Sequence, residues 1–174
     1  MHTTRIAIVG GGLAGLYAAF LLEQKGIKDY VLLEARDRLG GRIDSTSTSG
    51  TATSSIDRFD LGPTWFWPGF QHRLGRLVQE LGLEPFAQFE TGDMLIERSP
   101  DEPPSRMRGF VNSPPSTRLV GGMGGLTDAL HRHLKSTRIL CGRTVRHLHT
   151  TESHIELESV DAAGCTTTWR AKQV

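Results

Sequence analysis

Cysteine is scarce. The 174 residues hold two, Cys141 and Cys165. They form no C-x-x-C pair and no metal-ligand spacing, which excludes a disulfide-stapled scaffold and a cysteine-based zinc site. A reduced cytoplasm is the simplest setting, and a disulfide between the two stays open. An excess of one charge is also missing: Lys plus Arg is 20 and Asp plus Glu is 19. That balance removes the electrostatic argument for nucleic acid or an anionic membrane as partner. Long apolar runs are lacking as well. Residues 6–22 carry no charge and follow Arg5, a faint imitation of a signal peptide. Three glycines interrupt the stretch, no small-residue cleavage site follows, and it is short of the ~20 apolar residues that a membrane helix needs. No targeting segment and no transmembrane helix are therefore expected.

Glycine is abundant at 20 residues, and apolar residues make up 37%. This suits a single α/β domain with many tight turns. Arg5-Ile6-Ala7-Ile8-Val9 is a β-branched run that predicts a buried strand. Leu13, Leu16, Tyr17, Phe20 and Leu21 recur at helical spacing, and Gly26 is placed to end that helix. Tyr30-Val31-Leu32-Leu33 predicts a second buried strand. Strand, helix and strand within about 30 residues make one right-handed βαβ crossover. Further on, residues 45–55 are rich in Ser and Thr and read as a surface loop or hairpin tip. Phe59-Asp60-Leu61-Gly62 predicts a short strand entering a turn. Residues 71–81 predict an amphipathic helix stopped by Gly82, and the proline-rich residues 100–115 predict a linker. A further helix is expected over 126–134, then strands over 138–141, 144–148, 154–157 and 167–171.

The strand-to-helix junction is Gly10-Gly11-Gly12-Leu13-Ala14-Gly15, a G-x-G-x-x-G turn in the context that phosphate binding requires. Gly10 permits the tight turn, Gly12 lets a pyrophosphate approach the backbone, and Gly15 lets helix and strand pack closely. The free N–H groups that open the helix, at Leu13 and Ala14, face the phosphates. Glu34 follows Gly15 by the roughly 20 residues expected of a carboxylate that accepts ribose hydroxyls. It would also repel a 2′-phosphate, which disfavours NADP. The turn alone does not separate FAD from NAD.

The next residues carry a likeness. Glu34-Ala35-Arg36-Asp37-Arg38-Leu39-Gly40-Gly41-Arg42 resembles the E-x-R-x-R-x-G-G-R signature of flavin-containing amine oxidases and their phytoene-desaturase-like and protoporphyrinogen-oxidase-like relatives. Asp60-Leu61-Gly62-Pro63-Thr64-Trp65 resembles the family's strand and turn beside the flavin ring. Val120-Gly121-Gly122-Met123 resembles its glycine-rich lead into a helix. The resemblance implies a Rossmann-type FAD-binding domain over residues 1–174, with a central parallel sheet and an added β-meander, incomplete relative to the family fold. It implies a reduced substrate-side insertion over residues 63–118. It further implies cofactor contacts from Glu34, Ala35, Arg36, Gly41, Arg42, Gly62, Pro63, Thr64, Trp65 and the backbone at Val145. Arg42 is assigned to the diphosphate. Arg38 is balanced between the cofactor and solvent. One departure stands out: Pro63 replaces a frequent family glycine, and proline has no N–H to donate.

The function implied is that of an FAD-dependent oxidoreductase. It would take hydride from an amine or another activated C–H of a small-molecule substrate. The alternatives are an NAD-dependent dehydrogenase and a non-catalytic FAD-binding fragment. No catalytic acid, base or metal ligand is nominated, because the cofactor would carry the chemistry. At least one ring of Trp65-Phe66-Trp67 is expected to face the site. His147 and His149 share a strand face and are expected to be solvated.

Overall fold

A computed structural model describes residues 1–47, 57–109, 113–135 and 138–174. In chain order the elements are β1 (His2–Val9), α1 (Leu13–Gln24), β2 (Tyr30–Leu33), β3 (Ser45–Ser47), β4 (Arg58–Asp60) and α2 (His72–Glu80). There follow β5 (Pro85–Ala87), β6 (Met94–Ile96), β7 (Ser105–Met107), β8 (Thr117–Leu119) and α3 (Gly124–His133). The chain finishes on β9 (Ile139–Leu140), β10 (Thr144–Thr150), β11 (Ile155–Val160) and β12 (Thr166–Gln173).

The central sheet has six strands in the order β10-β11-β12-β1-β2-β9. The ladders β12–β1, β1–β2 and β2–β9 are parallel, and β10–β11–β12 form an antiparallel meander. This is the Rossmann-type α/β architecture with an added meander. Because side chains alternate across a strand, β2 is buried on both faces. Tyr30 and Leu32 join Leu16 and Phe20 of α1, Leu126 and Leu130 of α3, and Leu77 and Val78 of α2. Val31 and Leu33 join Ala7, Leu157, Trp169 and Ala171. The continuous apolar run of β2 is thus the signature of a strand with no solvent face.

Two expectations need correcting. Ser45–Ser47, expected as surface loop or hairpin tip, forms strand β3 paired antiparallel with β4; its Ser and Thr side chains are compatible with a pleated strand. Residues 48–55 of that stretch lie outside the described residues. The proline-rich stretch is not simply a linker either. Ser105–Met107 forms β7 against β6, because these residues lie in the proline-free gap after Pro104 and keep the N–H groups that a ladder needs. Both cysteines are free and exposed, so no disulfide joins them. The helix ends are where glycine placed them, with Gly26 at φ 74° and Gly82 at φ 66°. Among the described residues, no helix is long and apolar enough to cross a membrane.

Candidate functional site

The site begins where β1 ends. Gly10 stands at φ 103° and donates its N–H to Leu33 O at 2.8 Å, tying the turn to β2. A side chain at Gly15 would collide with the Gly10 carbonyl oxygen, and one at Gly11 would collide with Leu39. Gly12 is different. Its φ of −77° suits any residue, and an added Cβ would sit 3.7 Å from Gly41 Cα, an ordinary contact. The fold itself does not require glycine at position 12. Gly12 nonetheless lines the cavity of this site.

Glu34 caps this turn. It is buried at the end of β2. Its Oε2 accepts the Gly11 N–H at 2.6 Å and its Oε1 accepts the Arg36 N–H at 2.8 Å. A carboxylate offers about four acceptor positions, so both oxygens can still accept from a ligand. The backbone behind it is strapped: Glu34 N–H donates to Leu140 O at 2.9 Å and Arg143 N–H donates to Glu34 O at 2.8 Å. Cys141 lies nearby. Partial burial, then the charges of Glu34 and Asp37, push its thiol up from the usual range, which keeps it a poor nucleophile.

The loop after Glu34 folds back on the glycine turn. Gly40 N–H donates to Gly11 O at 2.8 Å, and Arg36 Nη1 donates to Gly41 O at 2.7 Å. Gly41 stands at φ 63°, with room for only 3.0 Å between an added Cβ and Gly12 Cα. The Gly40-Gly41 pair therefore serves the contact of one backbone with another. Arg38 turns away and pairs with Asp44 at 3.0 Å. Arg42 has no hydrogen-bond or ion-pair partner among the described residues.

These parts line a cavity of about 830 Å³. Gly10, Gly12, Leu13, Ala14, Glu34, Arg36, Gly41 and Arg42 line it, together with Pro63, Trp65, Phe66 and Met123. Of the remaining sequence-nominated residues, Gly15, Ala35, Gly62, Thr64 and Val145 are not in the lining. Gly15 packs helix on strand. Gly62 allows the chain past Arg42 O, where a Cβ would collide. Thr64 Oγ1 donates to Gly62 O at 3.1 Å. Val145 is half-buried on β10 at a bulge, and Ala35 lies in the strapped segment. Of the aromatic triplet, Trp65 and Phe66 reach the cavity and Trp67 does not.

The sequence reading missed Tyr17, Gln71 and Arg73 in this lining. Tyr17 follows Leu13 and Ala14 on one face of α1, so the i, i+4 spacing could have found it. Gln71 and Arg73 reach the cavity only through the placement of α2. With Arg73 included, the lining holds three guanidiniums, Arg36, Arg42 and Arg73, against one carboxylate, Glu34. It favours an anion. The chain has a second glycine-rich helix start at α3, but that one is plugged. Met123 N–H donates to Asp60 Oδ1 at 2.8 Å and Gly124 N–H to Ser45 Oγ at 2.9 Å. The start of α1 has no side-chain cap, so of the two it alone is open to a ligand's phosphates.

Comparison with known proteins agrees with this geometry. Residues 8–81 match the family model described as an NAD(P)-binding Rossmann-like domain. The chain is 41% identical over 85 residues to the flavin-containing amine oxidase A of Sus scrofa, covering 49% of this chain and 15% of that protein. It is 42% identical over 81 residues to the human flavin-containing amine oxidase B, covering 47% of this chain and 14% of that protein. The chain is amine-oxidase-like. What matches is an N-terminal, nucleotide-binding portion, and the matched region spans about one seventh of those relatives. The structure of wild-type putrescine oxidase bound to putrescine superposes on 98% of this amine-oxidase-like chain with a TM-score of 0.75. Identity there is 18%, and 57% of the putrescine oxidase chain is covered, so this likeness speaks for the fold.

Proposed function

We propose that this chain forms the ADP-binding half of an FAD site in a flavin-dependent, amine-oxidase-like oxidoreductase. The observation that carries the reading is Gly12. It is a glycine that the fold does not need, and it lines the cavity together with the uncapped start of α1, Glu34 and three guanidiniums. A dinucleotide fits each of these features. Backbone at Gly12, Leu13 and Ala14 would face the diphosphate, and Glu34 would accept the adenosine ribose hydroxyls. Arg36 and Arg42 would pair with phosphate oxygens, and the backbone near Val145, just past the strap on Glu34, would flank adenine. Gly62, Pro63, Thr64 and Trp65 would border the flavin half.

When bound, the flavin supplies a two-electron acceptor for an amine or another activated C–H of a small substrate. The chain's own residues bind and orient it. Residues 63–118, with the short strand pairs β5–β8 and β6–β7, are read as a reduced substrate side within a single domain of 1–174. The two free thiols favour a reducing, cytoplasmic setting. The 174-residue chain alone is read as inactive.

The test is an anaerobic titration of the whole protein, loaded with FAD, with a panel of small amines. Bleaching of the visible flavin band by at least one amine supports the reading. A flavin that no amine bleaches would overturn the amine-oxidase assignment.

A further inference from the structure

Behind the cleft, the segment that carries Pro63 and Trp65 is tied to Met123 by a cluster that does not line the cavity. Helix α3 provides no side-chain cap of its own at Met123. Its first donors are instead met from the β3–β4 hairpin, far away in sequence. Asp60 Oδ1 accepts the Met123 N–H at 2.8 Å, and Ser45 Oγ accepts the Gly124 N–H at 2.9 Å while donating to Asp60 Oδ1 at 2.6 Å. Arg58, with its side chain only 10% exposed, donates from Nε to Gly121 O at 3.0 Å and pairs with Asp128 at 2.8 Å. The turn before α3 is shaped around this contact. Gly122 stands at φ 72°, and a Cβ there would lie 2.7 Å from Asp60 Oδ1. From Asp60 the chain runs directly into Pro63 and Trp65, which line the cleft. The residue whose N–H it holds, Met123, is buried and lines the same cleft.

We propose that Asp60 is a positioning residue for the cofactor cleft, setting the Pro63–Trp65 segment against Met123 through the start of α3. It touches neither the cleft nor its contents. Its carboxylate matches the positive end of the α3 dipole, and the Ser45 hydroxyl completes the cap. The inference rests on the reading that this side of the cleft meets the flavin half, while Gly12, Glu34 and the arginines meet the ADP half. It therefore separates two ligands that share the ADP moiety. Loss of the Asp60 contact loosens the site for FAD and leaves the site for ADP intact.

The experiment measures FAD and ADP affinities of the whole protein, after removal of its flavin, for Asp60→Ala, Asp60→Asn and Ser45→Ala. Asp60→Ala is expected to weaken FAD about five- to tenfold, the size of a lost helix cap, with ADP affinity unchanged. Asp60→Asn keeps an oxygen that can accept both hydrogen bonds and is expected to retain most of the FAD affinity. Ser45→Ala is expected to act in the same direction as Asp60→Ala and not to add to it. Should Asp60→Ala fail to fold, Ser45→Ala carries the same comparison. A parallel loss of FAD and ADP, or unchanged FAD affinity in both alanine variants, overturns the inference while the functional reading stands. A parent protein that binds neither nucleotide overturns both.

Discussion

At Glu34 both carboxylate oxygens already hold a backbone N–H, at Gly11 and at Arg36. Substitution there acts on the empty protein as well as on the ligand. Glu34→Ala is expected to weaken FAD by roughly 1.5–3 kcal/mol, the worth of a charged hydrogen bond, and to lower thermal stability by freeing one buried and one partly buried donor. Calorimetric titration and thermal unfolding of the same variant check both. Unchanged affinity would show that ribose hydroxyls do not reach this carboxylate. Arg42 poses a simpler case, because it has no partner among the described residues and lines the cleft. Lysine keeps its charge and lacks its planar fork, so Arg42→Lys is expected to lose most of what Arg42→Ala loses. Equal affinity of Arg42→Lys and parent would mean that only the charge counts. Glu34 was legible from its spacing after Gly15 and Arg42 from the family resemblance, and both rest on local features. Arg73 and the Asp60–Ser45 cap were not legible. Each depends on which distant element folds against which, and neither leaves a periodic trace in the sequence.

At the scale of elements, the glycine turn separates fold from function. Gly15→Ala drives a methyl into the Gly10 carbonyl oxygen and must push α1 off β1. It is expected to destabilise the chain by about 1–3 kcal/mol, as overpacking does. Gly12→Ala meets no close contact at an ordinary φ. It is expected to unfold near the parent temperature and to lose nucleotide binding. Thermal melts with and without FAD read the contrast, and a Gly12→Ala variant that binds normally would remove the observation on which the site rests. The legible elements are those with a strong pattern. β1, α1 and β2 form one crossover, and α2 is amphipathic up to Gly82. The strands β5 and β7, three residues each and exposed throughout, offer no alternation to read. β7 hides among prolines that signal a linker.

For the molecule as a whole, the parallel part of the sheet brings the C-terminal ends of β1, β2 and β9 together, where the glycine turn, Glu34 and the strap at Arg143 meet. In the proposed reading, that region supplies an ADP half-site. Large apolar side chains stand exposed beyond it, among them Leu61, Trp65 and Phe70. Burial of such surface is worth on the order of 25 cal/mol per Å², so an uncovered flavin ring forgoes several kcal/mol, each 1.4 of which is about tenfold in affinity. The 174-residue chain made alone is therefore expected to retain ADP measurably and FAD weakly. Stoichiometric flavin after gel filtration of that chain would refute the division into halves. The most direct measurement is the identity of the nucleotide held by the whole protein, released by denaturation and identified by mass. The expected result is FAD at one per chain, lost in Gly12→Ala and reduced in Glu34→Ala. Release of NAD or NADP, or of FAD in equal amount from all three proteins, would contradict the account.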